Sequence, residues 1–183
     1  MAATLADRVS AAALVAPVGP IVGVANRPQL DAMHHVSFRV LPRIPGVINL
    51  AFSVFRQVAM RAPALSARMA AGRALRADRE VMADRVFATN LGKSFAVGLA
   101  AGARGPVIDM RLFSRAWDID LLKVSCPSRV WIGAQDRNVP IAAAQGLADA
   151  IPGALLTQLG PHGHYWIARN FPVVLSWLAE TAV

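Results

Sequence analysis

The sequence predicts an α/β fold, a partial sheet of about three parallel strands with a block of helices inserted after the first. Three observations carry this expectation. Short apolar runs bounded by proline and glycine at 9–16, 129–133 and 155–159 read as buried strands. Between the first two runs, residues 43–104 keep helical periodicity with no strand signal. The last two runs enclose a helical pattern, and strand, helix and strand within about 30 residues form a unit whose strands must be parallel.

In chain order, the run from Val9 to Ala16 is closed by Pro17, Gly19 and Pro20, where the backbone turns sharply. Residues 21–43 contain Pro28 and Pro42 and read as irregular. Pro45 suits a first helical turn, Ile48, Phe52, Phe55 and Ala59 follow at helical intervals, and Pro63 stops the pattern. A second helix is expected over 64–72, a third from Asp78 with Val81 and Val86 on its apolar side, and a fourth over 89–101 ending near Gly102. A short helix over 106–115 leads to Pro127, which announces the strand at 129–133. Pro140 then starts a helix with Ala143, Ala144, Leu147, Ala148 and Ile151 on one face, closed by Pro152-Gly153. After the strand at Leu155–Leu159, Pro172 is expected to open the last helix, with Val174, Leu175 and Leu178 inward. The expected organisation is a core of 1–42 and 105–183 carrying a helical insertion at 43–104.

A chain of 183 residues that is 55% apolar and 16% charged can bury a core and falls among globular proteins. The single cysteine, Cys126, excludes an internal disulfide framework and points to a reducing compartment, the cytoplasm. Lying just before Pro127 and a strand, it reads as core packing and not as a nucleophile. The net charge of +8 is concentrated where Arg39, Arg43, Arg56, Arg61, Arg68, Arg73, Arg76, Arg79 and Arg85 face only Asp78, Glu80 and Asp84. Nucleic acid is not the expected partner, because these arginines are spread at helical intervals, without a reader motif and with few aromatics to stack bases. The apolar stretch 9–25 follows Arg8 like the core of a secretory signal, yet Asp7 precedes it and Pro17, Gly19 and Pro20 break it. Ile44–Phe55 is too short for a bilayer span, so no integral membrane segment is expected.

Chemistry collects beyond the carboxyl ends of parallel strands, and two candidates lie there on adjacent loops. In "WIGAQDRNVP" Asp136 follows its strand by three residues, and in "LGPHGHYWI" His164 follows the next by five. A carboxylate bonded to one ring nitrogen fixes the tautomer of a histidine and stabilises its imidazolium, which is what a general base requires. His162 makes a His-x-His with His164, but His34-His35 lies far away and no carboxylate or cysteine cluster accompanies it, so no metal site is expected.

"RVWIGAQDRNVP", "LADAIPGA" and "LGPHGHYWI" together resemble the C-terminal part of the α/β-hydrolase family, whose triad runs serine, acid, histidine. The resemblance makes Asp136 the catalytic acid and His164 the general base. Upstream, "LADRVSAAALVAPVGP" resembles the strand after the nucleophile helix, and 43–104 resembles the helical cap, so the likeness covers essentially the whole chain. One departure governs mechanism: none of Ser10, Ser37, Ser53, Ser66, Ser94, Ser114, Ser125, Ser128 and Ser176 stands in G-x-S-x-G, and the oxyanion loop is missing with it. The implied protein is the cap-bearing C-terminal portion of a serine hydrolase that, at full length, cleaves an ester, amide or related bond in a small apolar substrate. It requires no cofactor and is inactive alone. Tyr165 and Trp166 are candidates to line the substrate pocket or, as aromatics beside a strand end, to pack. Two other readings stand beside this one: a non-catalytic hydrolase-like scaffold that homodimerises through the 9–16 edge, and a basic protein bound peripherally to anionic membranes.

Overall fold

The computed structural model describes residues 1–19 and 31–182 of the chain. The part of the irregular expectation that covers 21–30, Pro28 included, lies outside the described residues. Three strands, β1 (Ala12–Val15), β2 (Ser128–Gly133) and β3 (Leu155–Leu159), form one parallel sheet in that order. Leu14 stands opposite Val130, and Trp131 opposite Thr157. Among the described residues only β2 has a strand on both sides, which is why its sequence is a continuous apolar run: Val130, Trp131 and Ile132 are all buried.

Alternation along β2 divides the core into two layers. Val130 and Ile132 pack against Val139 and against Ala144 and Ala148 of α7 (Ile141–Ala150). Trp131 points to the other face, where it meets Trp166 together with Val174 and Trp177 of α8 (Ile167–Thr181), the Trp131 and Trp177 indoles edge to face at 5.2 Å. Cys126 is buried in a third cluster with Val124, Leu147 and Ile151, as the packing expectation required.

From Ala32 onward the described chain before β2 carries the helices α1 (Ala32–Arg43), α2 (Val47–Arg61), α3 (Pro63–Ala70), α4 (Arg76–Met82), α5 (Arg85–Gly98) and α6 (Arg104–Phe113). The expectation of irregular structure over 31–43 is corrected. Asp31 caps α1 by accepting the His34 amide at 2.8 Å, and α1 then widens through a π segment over Val36–Val40. Pro42 falls in the opening turn of a closing 3-10 piece, where its missing N–H is not needed. Pro63 both stops α2 and starts α3, and α3 packs so closely on α5 that a Cβ at Gly92 would lie 1.8 Å from the Pro63 carbonyl oxygen. Asp84 caps α5, accepting from Val86 and Phe87, so that helix begins four residues earlier than its periodicity indicates.

A last correction concerns α8. It begins at Ile167, directly after a 3-10 turn over His164–Trp166, and not at Pro172. Asn170 leaves helical geometry (φ −124°, ψ 18°) and its side-chain amide donates to the Trp166 carbonyl at 2.8 Å, so the proline is accommodated at a kink. Among the described residues no single helix is long and apolar enough to cross a membrane.

Candidate active site

Two loops meet at the carboxyl edge of the sheet, and backbone hydrogen bonds join them before any side chain does. Ala134 N–H donates to the Leu159 carbonyl and Gln135 N–H to the His162 carbonyl, both at 2.8 Å. The approach requires a glycine at the end of β2: a Cβ on Gly133 would lie 2.4 Å from the His162 oxygen and 2.5 Å from the Gly163 oxygen. Asp136 closes a turn back to the Gly133 carbonyl at 3.0 Å. Its Oδ1 accepts the amides of Asn138 (2.8 Å) and Val139 (2.9 Å), which leaves Oδ2 aimed across the gap.

Oδ2 of Asp136 lies 2.9 Å from His164 Nδ1. A carboxylate has no proton to give, so Nδ1 is the donor and Nε2 carries the basic lone pair. The Asp136 carboxylate is fully buried, whereas the imidazole is 27% exposed. Among the described residues no group engages Nε2. The pair can therefore take a proton at Nε2 and hold the resulting imidazolium against a buried anion, which is the chemistry of a general base.

The two neighbouring aromatics are core residues. Tyr165 packs its ring against Phe87 of α5 and its phenol stands 3.5 Å from Asn138 Nδ2. Burial pushes the Tyr165 hydroxyl above the ordinary phenol range; the Asn138 amide opposes this, and the nearby Asp78 and Asp136 charges add to it. Trp166 is buried against Trp131 and also borders a polar cavity of about 490 Å³ with Arg76, Glu80, Gln135, His162 and Arg169. His162 faces that cavity and the Trp166 ring, not His164. Among the described residues no three His, Cys, Asp or Glu side chains are grouped to hold a metal ion.

Two further residues converge on the site that the sequence did not mark as site residues: Asp78 reads there as a helix start, and His34, far away in sequence, is brought against the Asp136 loop. His34, buried in α1, stacks on Phe38, stands 3.0 Å from Asp31 Oδ1 through Nδ1, and lies 3.1 Å from the Asn138 carbonyl oxygen through Nε2. Burial works against ionisation of Asp31, but the His34 amide and the charges of Arg73 and His34 outweigh it, holding its carboxyl below the usual range. Asp78 of α4 is buried, and its carboxylate accepts the backbone N–H of His164 at 2.9 Å and of Tyr165 at 2.8 Å. No local signal marks either residue, since the partners lie 104 and 86 positions away.

No protein-family model and no curated protein matches the sequence. Solved structures do match in shape. An α/β-hydrolase fold protein from Nakamurella multipartita superposes on 99% of this chain at TM-score 0.56 and 22% identity, with 63% of its own length covered. A bromoperoxidase from Bacillus anthracis covers 94% of this chain at TM-score 0.60 and 21% identity, with 59% of its length used. A thermophilic esterase from Thermogutta terrifontis covers 100% at TM-score 0.55 and 18% identity, with 60% of its length used. The chain thus has the α/β-hydrolase fold, and it spans about three fifths of the length of these neighbours.

Proposed function

We propose that this chain carries the acid–base half of a serine-hydrolase site, with His164 as general base, Asp136 as its orienting acid and residues 43–104 as the cap. The observation that carries the reading is the 2.9 Å contact between a fully buried carboxylate and Nδ1 of a partly exposed histidine, at the carboxyl edge of a parallel sheet. In the reaction, a serine hydroxyl supplied from outside these 183 residues loses its proton to His164 Nε2 as its oxygen attacks an ester or related carbonyl. The imidazolium then returns the proton to the leaving group, and water completes the cycle by the same two transfers. Neither step needs a cofactor. The substrate class is a small apolar ester or amide, in keeping with esterase activity in one neighbour's name and with apolar side chains such as Phe52, Phe55 and Phe95 around a cavity of about 870 Å³ in the helical segment.

Without G-x-S-x-G and its oxyanion donors, the 183 residues alone are expected to be inactive, because loss of a triad member removes several powers of ten in rate and the residual catalysis depends on those donors. The test has two arms: ester hydrolysis by purified 1–183 and its His164→Ala variant, and the mass and activity of the native product captured with an antibody against α8. The reading expects no His164-dependent turnover from 1–183, and a longer native product whose activity falls by about three or more powers of ten in His164→Ala. His164-dependent turnover by 1–183 would overturn the claim that the nucleophile lies elsewhere. An inactive native product of 19.4 kDa would overturn the hydrolase reading. The outer edge of β1, unpaired among the described residues, favours a second reading in which two copies pair as a scaffold.

A further inference from the structure

The turn that carries His164 begins at Gly163, which has no side chain to cap it, so the first N–H groups of His164–Trp166 and of α8 behind it need an acceptor from elsewhere. Asp78 provides one from α4. Its Oδ2 takes the His164 amide and its Oδ1 the Tyr165 amide, so a single buried carboxylate closes both orphan donors from 86 and 87 residues upstream. The fit admits nothing larger than glycine at 163, where a Cβ would lie 2.3 Å from Oδ2 and 2.4 Å from Oδ1. Around the same point Phe87 of α5 packs on Tyr165, and Arg169 of α8 donates to the Glu80 carbonyl of α4. These contacts join the helical segment to the histidine loop.

We infer that Asp78 is a positioning residue: it caps the histidine turn across the fold, and His164 holds its bond to Asp136 only while α4 is seated. The inference rests on the acid–base reading of His164 and Asp136, but it is read from the geometry of that pair and not from turnover, so a chain that never hydrolyses an ester can still pass. Two carboxylates grip His164 in different ways. Asp136 fixes the ring through Nδ1, and Asp78 fixes the backbone from which the ring projects. Because Asp78 belongs to the helical segment, loosening that segment frees the base from its acid.

The experiment is NMR of the full 183-residue chain labelled with ¹⁵N-histidine. In the unmodified protein the His164 Nδ1 proton is expected downfield and protected, exchanging together with the α4 amides as denaturant is raised. Asp78→Asn keeps the shape but replaces one acceptor oxygen with an N–H₂ group facing an N–H. It should raise the exchange rate of that ring proton about tenfold or more, the order expected from losing one charge-assisted bond, while the β2 and β3 amides keep their shifts. Gly163→Ala, which displaces the carboxylate without altering it, should do the same. A ring proton unchanged in a folded variant would make Asp78 merely structural. Should neither variant fold, the unmodified protein decides: a Nδ1 proton that stays protected after the α4 amides have exchanged overturns the inference.

Discussion

Three donors converge on the Asp136 carboxylate: the imidazole of His164 and the amides of Asn138 and Val139. Asparagine at this position can still satisfy the two amides with its oxygen, but its N–H₂ group then faces Nδ1 and drives the ring proton to Nε2. Asp136→Asn is therefore expected to retain the fold and invert the His164 tautomer, read from the histidine ¹⁵N shifts. Asp136→Ala leaves all three donors unpaired in a fully buried pocket and should cost about 3 kcal/mol in urea denaturation. Tyr165 gives a pH signature of opposite kind. Its folded phenol is raised above the unfolded value, so below about pH 10 both states are neutral and nothing is lost, whereas at higher pH only the unfolded chain ionises and stability falls. Tyr165→Phe should flatten that decline above about pH 10 in melts across the range. At this scale Asp136 and His164 were legible because each lies a few residues past an apolar run. Asp78 was not: an aspartate near a helix start reads locally as a cap for its own helix, and nothing nearby reveals that it caps another.

At the scale of elements, hydrogen-bond direction decides what β1 can do. Ala12 and Ala16 N–H donate inward, to Pro127 and Trp131, so alternation turns the amides of Ala13 and Val15 toward the open edge. If that edge pairs two copies, Ala13→Pro removes an outward donor without touching the β1–β2 ladder. Association of 1–183 in sedimentation should then weaken by about tenfold while the melting temperature holds. An unchanged dimer would place the contact elsewhere. The three strands and most helices could be read from apolar period and proline punctuation, whereas the order β1-β2-β3 could not, because a parallel crossover fixes handedness and not which strand lies beside which. Helix starts were read less well, for physical reasons that differ by site. Asp31 and Asp84 act as caps for runs whose periodicity is blurred, and Pro172 sits within a kinked helix that continues from a 3-10 turn, the turn's amides held by Asp78 and its Trp166 carbonyl by Asn170.

For the whole molecule, net charge and exposed apolar side chains pull toward different partners, and salt separates them. A net charge of +8 attracts any anionic surface at low ionic strength, so vesicle binding in dilute buffer carries no specificity. The Debye length shrinks from about 30 Å at 0.01 M to about 8 Å at 0.15 M, and exposed guanidinium groups lose their reach accordingly. The helical segment also exposes Leu50, Val54 and Val97, each more than half accessible, and contact through these would not be screened. Under the hydrolase reading such apolar surface belongs with a substrate channel or with the part of the fold that the longer neighbours contain, and not with a bilayer. Sedimentation with vesicles rich in anionic lipid should accordingly recover the chain at 0.01 M salt and release it by about 0.15 M. Retention at about 0.5 M would mean that apolar side chains enter the membrane, making the peripheral-protein reading the stronger one even with the Asp136–His164 pair intact.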